Sequence, residues 1–187
     1  HRLTLQLGER RMTLVDLPGI GETPQHDQEY RALYRQLLPE LDLIIWILRS
    51  DERAYAADIA MHQFLLNEGA DPSRFLFVLS HADRMFPAEE WNATEKCPSR
   101  HQELSLATVI ARVATLFPSS FPVLPVAAPA GWNLPALVSL MIHALPPQAT
   151  SAVYSHIRGE NRSEQARKHA QQTFGDAIGK SFDDAVA

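Results

Sequence analysis

A single cysteine, Cys97, stands among the 187 residues, so no internal disulfide can staple the chain. No apolar run approaches the roughly 20 residues that a membrane-spanning helix requires. Positive charge is in deficit. With 17 Lys and Arg against 22 Asp and Glu, the formal net charge of -5 excludes a general basic field for nucleic acid, although arginine supplies enough positive charge for a local patch. Internal repeats and low-complexity tracts are absent. What remains has ordinary globular composition, 45% hydrophobic and 21% charged, with room for one sizeable core. These features predict a cytosolic protein. The chain opens at His1 and runs at once into strand-like alternation, which predicts that its natural start lies upstream.

The other residues are arranged around Met12 to Glu22, MTLVDLPGIGE. The apolar run from Met12 to Val15 reads as a buried strand, and Asp16 falls at its carboxyl end, the rim where α/β sheets bind ligands. Lacking a Cβ, Gly19 can bring its backbone N–H close to a bound group; the plainer reading is a tight turn carrying a surface aspartate. Upstream, Leu3, Leu5 and Leu7 alternate with Thr4 and Gln6, and the turn at Gly8 to Arg11 makes the two runs a hairpin. Downstream, Tyr30, Leu33, Tyr34, Leu37, Leu38 and Leu41 recur at helical spacing.

Leu43 to Leu48, LIIWIL, is continuously apolar and predicts a central parallel strand covered on both faces. Ser50 and Asp51 can cap the next helix, in which Tyr55, Ile59, His62 and Leu66 share a face and His62 reads as a core histidine. Gly69 ends that helix, and Asp71-Pro72-Ser73 turns into the buried strand Phe75 to Leu79.

Asp16-Leu17-Pro18-Gly19 resembles the switch II motif of P-loop GTPases, in the form found in Era-like bacterial members. The resemblance implies that Asp16 holds Mg²⁺ through water and that the Gly19 N–H meets the γ-phosphate. At the next strand end, Ser80-His81-Ala82-Asp83 occupies the place of the family's Asn/Thr-Lys-x-Asp guanine-reading motif. A carboxylate fixed there can accept two hydrogen bonds, from guanine N1–H and the exocyclic amine. Adenine would leave it unpaired, at about 1 to 3 kcal/mol when buried. Ser80 offers a hydroxyl to hold the loop. His81 stands where the family has a lysine and can stack its imidazole on the base instead.

Met85 to Pro98 is a polar insertion. Cys97 with His101 would make only half of a zinc site, which needs about four ligands. Ser99 and Gln102 form a capping-box pattern ahead of a helix buried through Leu106, Val109, Ile110, Val113 and Phe117. Phe121 to Val126 is the last strand. It leads into Ala127 and Ala128, which resemble the family's Ser-Ala-x loop, with the Ala128 N–H as donor to guanine O6. Asn133 can cap a helix that turns Leu134, Leu137, Val138, Met141, Ile142 and Leu145 inward until Pro146-Pro147 stops it. From Thr150 the chain becomes polar and alanine-rich, with an apolar stripe at Ala166, Ala170, Phe174, Ile178, Phe182 and Val186. Gly175 and Gly179 form GxxxG, but without an apolar span it is no membrane-dimer motif.

Three motifs in family order, spread over Arg2 to Leu145, imply an α/β fold. It would be a three-layer Ras-like G domain with a mostly parallel sheet, N-terminally truncated, over residues 1–147, followed by a C-terminal helical extension over 148–187. The chain resembles the Era-like group that includes the bacterial YfjP/YkfA/YeeP proteins. The implied ligands are GTP or GDP with Mg²⁺, and ribosome or RNA partners follow by family analogy alone.

The departure from the family is an absence. No Gly-x-x-x-x-Gly-Lys-Ser/Thr loop occurs, nor a switch I segment, so phosphate affinity and hydrolysis should be largely lost in these residues. The family's first strand would lie between the Met12 and Leu43 strands. Its absence predicts either a gap in the sheet or direct pairing of those two, and marginal stability. Ile20 follows Gly19 where a water-positioning glutamine is common, leaving Glu22 and His26 as candidates by proximity only. The expected function is a guanine-nucleotide switch protein impaired as found; the alternative is a non-catalytic interaction module or decayed remnant.

Overall fold

The computed structural model of the chain describes residues 1–7, 10–19, 24–52, 54–146, 149–150, 153–154, 157 and 161–172. They fall into two compact units, one of Pro18–Leu134 and one of His1–Leu17 with Pro135–Ala187.

The first unit is built on a three-stranded parallel sheet of β3 (Ile44–Arg49), β4 (Phe75–Ser80) and β5 (Leu124–Pro125), in the order β3-β4-β5. β4 is central, and its first five residues are buried on both faces, as its unbroken apolar run predicts. Phe75, Phe77 and Leu79 enter one core with Leu48, Leu65, Val109, Val113 and Phe117. Burying a side chain of this size is worth about 1.5 to 3 kcal/mol, so this face supplies much of the unit's cohesion. Helices α1 (Pro24–Leu37), α2 (Ala56–Asn67) and α3 (Arg100–Leu116) contribute apolar residues to the same core. The start of α3, the end of α2 and the turn into β4 follow the sequence. Ser99 and Gln102 close a reciprocal capping box on α3, Gly69 adopts φ +91° at the end of α2, and Asp71 caps the turn into β4.

The expectation that the Leu43–Leu48 strand sits centrally is overturned. Among the described residues β3 pairs with β4 alone and forms an edge of the sheet, with Ile47 65% exposed. An apolar run reports a buried environment but not which neighbour supplies it. β5 is also shorter than its sequence run, because Pro122 and Pro125 carry no N–H for the ladder.

In the second unit, β1 (Arg2–Leu7) and β2 (Arg10–Val15) form an antiparallel hairpin with Leu3 opposite Leu14 and Thr4 opposite Thr13. β2 pairs with β1 and β3 with β4, so among the described residues the two sheets share no ladder. Helix α4 (Leu134–Ala144) follows β5, and Ile142, Leu145, Thr150, Val153, Ala166 and Ala170 are buried. The expected stripe is thus covered at Ala166 and Ala170. Its continuation at Phe174, Ile178, Phe182 and Val186, and Gly175 and Gly179, lie outside the described residues.

Candidate functional site

β4 delivers its last residue, Ser80, and then His81 to Asp83 to the carboxyl edge of the parallel sheet. His81 turns there with φ 56°, a left-handed conformation uncommon for a residue with a side chain, and the next three residues form a 3-10 turn. Two hydroxyls hold this corner. Ser80 Oγ donates to the Leu48 carbonyl at 3.1 Å, and Ser50 Oγ donates to the His81 carbonyl at 2.8 Å. The imidazole of His81 lies 3.1 Å from Ser80 Oγ through Nδ1.

Ser50 was expected to cap α2 and does not. The residue preceding that helix is Tyr55, which makes no side-chain cap, while Ser50 is 1% exposed and committed to the His81 loop. A serine directly beyond one parallel strand, in register with the polar end of the next, was the available signal, because Arg49 pairs with Ser80. Beside it, Arg49 forms two hydrogen bonds to Asp51, at 3.0 and 2.8 Å, and holds that carboxyl below its usual range.

β5 brings the second loop to the same edge. The Val126 N–H donates to the Leu79 carbonyl at 2.8 Å, and the Ala82 N–H donates to the Val126 carbonyl at 3.1 Å. The residues flanking Asp83 and Ala127 are therefore directly bonded. Ala82, Ala127 and Leu106 form a small core against which Met85, Trp91 and Trp132 pack, and the two indoles meet edge-on at 6.0 Å. Ala127 exchanges two backbone hydrogen bonds with Trp132, closing the loop, and Gly131 within it adopts φ +75°. Ala128 is exposed and opens a 3-10 turn, whose first N–H has no acceptor within the turn. Asn133 also behaves differently from expectation. In a left-handed conformation (φ 60°), it donates its amide to the Pro125 carbonyl of β5 at 2.9 Å.

Within this tied pair of loops, Asp83 Oδ1 is buried and has no hydrogen-bond partner among the described residues. A buried carboxylate oxygen without a donor costs free energy, which a bound ligand, an ordered water or a shift of the loop would relieve. Ser80, His81, Asp83, Ala127 and Ala128 are brought together. Asp16 belongs to the other unit. Asp16 lies one residue beyond β2, exposed, in the unit that contains the hairpin, and its backbone N–H donates to the His1 carbonyl at 2.7 Å. Gly19 is exposed, and a Cβ there would meet nothing within 4 Å. Of the residues proposed by proximity for hydrolysis, His26 is exposed near the Tyr30 ring, and Ile20 and Glu22 lie outside the described residues. No group of three or more potential metal ligands occurs among the described residues, Cys97 and His101 included.

A cavity of about 250 Å³ opens at the other end of the sheet, between Ile44 at the start of β3 and Arg74 just before β4. The Arg35–Glu68 ion pair and the Asp71 turn occupy its surroundings, and their bonds are internally satisfied. The orphaned carboxylate lies at the carboxyl edge instead.

Fold and site together define a mixed α/β protein with a polar site at the carboxyl edge of a three-stranded parallel sheet. The chain is homologous to, and groups with, uncharacterised proteins of Escherichia coli (strain K12). It is 37% identical to YfjP over 182 residues (97% of the chain), 34% identical to YkfA over 186 residues (100%) and 36% identical to YeeP over 152 residues (81%). It spans 62%, 63% and 64% of the lengths of those three relatives, less than two thirds in each case. No protein-family model matches the chain, and no solved structure matches it.

Proposed function

We propose that the loops after β4 and β5 form the base-reading half of a guanine-nucleotide site, and that the chain is part of an Era-like GTP-binding protein of Ras-like fold. The observation that carries this reading is the buried, partnerless Asp83 Oδ1 in a loop bonded to the Ala127 segment. Guanine presents the adjacent N1–H and exocyclic amine that a fixed carboxylate would accept, while the backbone N–H of Ala128, an exposed residue, suits the base carbonyl. His81 supplies a flat ring beside them in place of the family's lysine stem.

The sheets lend support. A G domain needs a strand between β2 and β3, and among the described residues the side of β3 away from β4 has no paired strand, with Ile47 exposed. In this reading that strand and the phosphate loop are supplied by residues other than these 187, and nucleotide affinity here comes from the base alone. Asp16 is the carboxylate that the resemblance offers to Mg²⁺. A lone exposed carboxylate leaves most of an octahedral shell to water and phosphate.

The test is a nuclear magnetic resonance titration of the chain with guanosine and, separately, adenosine. Guanosine should shift the amides of residues 81–84 and 127–132 with an affinity of about 1 mM, some 4 kcal/mol of binding. No shift at saturation of the solvent, or equal shifts with adenosine, would refute the reading.

A further inference from the structure

The imidazole of His81 is held in one tautomer by the hydroxyl beside it. Ser80 Oγ donates its only proton to the Leu48 carbonyl at 3.1 Å, so toward His81 Nδ1, also 3.1 Å away, it can only accept. Nδ1 therefore bears the hydrogen of the neutral ring, and Nε2 presents a lone pair. The backbone under the ring is fixed as well, because the His81 carbonyl accepts from Ser50 Oγ at 2.8 Å and from the Arg84 N–H at 2.9 Å.

His81 is half-buried, and its Nε2 has no hydrogen-bond partner among the described residues. On the adjoining strand end, Arg49 commits its guanidinium to Asp51 in two bonds at 3.0 and 2.8 Å, and a carboxylate only accepts. Two residues beyond His81, Asp83 Oδ1 is a second acceptor without a donor among the described residues. One turn thus carries two acceptors that a ligand can satisfy only with donors.

We propose, resting on the base-reading function above, that His81 is a specificity-determining residue of that site. Its Nε2 accepts a hydrogen bond from the bound nucleotide beyond those that Asp83 takes, and Ser80 is the positioning residue that fixes the tautomer. In a guanine nucleotide the donor is a ribose hydroxyl or the remaining hydrogen of the exocyclic amine. Stacking needs only a flat ring, so His81→Phe separates the two roles.

The test titrates the whole chain with guanosine monophosphate and follows the amides of residues 127–132. The wild type should bind it more tightly than adenosine monophosphate. His81→Phe should lose about threefold to tenfold in affinity, the span of one hydrogen bond. Removing the ribose hydroxyls from the ligand, or methylating its exocyclic amine, identifies the donor: one of these changes should weaken the wild type by a similar factor and leave His81→Phe unaffected. Without ligand, in alkaline buffer, magnetic resonance of the ring nitrogens should show Nδ1 protonated in the wild type and the proton shared between both nitrogens in Ser80→Ala. Ser119→Ala removes a comparable bond at the other end of β4, from Ser119 Oγ to the Phe75 carbonyl at 2.9 Å, and should leave the affinity unchanged. A wild type with the proton on Nε2 would overturn the proposal, as would wild-type affinity in His81→Phe or an equal loss in Ser119→Ala. A wild type without preference for the guanine nucleotide would remove the base site itself, and this proposal with it.

Discussion

The Oγ of Ser50 donates to the carbonyl of His81 at 2.8 Å, joining the residue that follows β3 to the left-handed residue that follows β4. This bond spans two parallel strand ends and orients the turn from which Asp83 projects. Ser50 is 1% exposed, and its hydroxyl joins the Arg84 N–H, at 2.9 Å, as a second donor to the His81 carbonyl.

Ser50→Ala should therefore cost about 0.5 to 1.5 kcal/mol of stability, the net worth of one hydrogen bond. Urea denaturation followed by tryptophan fluorescence measures it. A loss below about 0.3 kcal/mol would mean that the loop is held without this bond, since uninvolved surface changes usually stay within about 0.5 kcal/mol.

His62 sets the acid limit of the same unit. It is 3% exposed, its Nε2 has no hydrogen-bond partner among the described residues, and the rings of Trp46, Phe75, Phe77 and Phe117 surround it edge-on at 4.9 to 5.9 Å. Burial lowers its value below the ordinary 6.5, so the unfolded chain takes up the proton first. Stability is then fully present above pH 6.5 and declines as the pH falls through and below it. Asp58 acts in the opposite sense. Burial raises its carboxyl above the ordinary 3.8, so its contribution is lost as the pH rises from that value, in a more acidic window. Denaturation midpoints between pH 8 and pH 5 should fall in the wild type and flatten in His62→Met. An unchanged slope in the variant would assign the acid sensitivity elsewhere.

The role of His62 was legible because its spacing with Tyr55, Ile59 and Leu66 put it on an apolar face, and the α3 capping box was legible because both partners lie within one helical turn. Local patterns of this kind carry their own geometry. Position within the sheet does not: the sequence of β3 resembles that of a central strand, yet its pairing depends on segments remote in the chain. Ser50 was misread for a related reason. A serine ahead of a helix has a local use as a cap and a tertiary use as a tie, and the register of β3 on β4 selects the second. Of the candidate site, the strand-end positions of Asp16, Asp83 and Ala127 could be read from apolar runs ending in polar or small residues. The orphaned oxygen could not, since it depends on how the β4 and β5 loops bond.

Ile47 tests the open edge of β3. It is 65% exposed on a strand whose outer side lacks a partner among the described residues, an arrangement that favours edge-to-edge association. Ile47→Lys should change the chain's stability by no more than about 0.5 kcal/mol while lowering its concentration-dependent self-association in sedimentation velocity. A loss of 2 kcal/mol or more, on the order of a buried apolar contact, would show that Ile47 is covered.

The central claim is that Asp83 reads guanine, and exchange of its carboxylate for an amide tests it most directly. Asp83→Asn replaces one acceptor by a donor, matching xanthine, whose carbonyl occupies the place of the guanine amine. Titrated side by side with guanosine and xanthosine, the wild type should prefer guanosine and Asp83→Asn should prefer xanthosine, with about a tenfold exchange of preference for each 1.4 kcal/mol transferred. A variant that keeps the wild-type preference, or binds both nucleosides as the wild type does, would contradict the account.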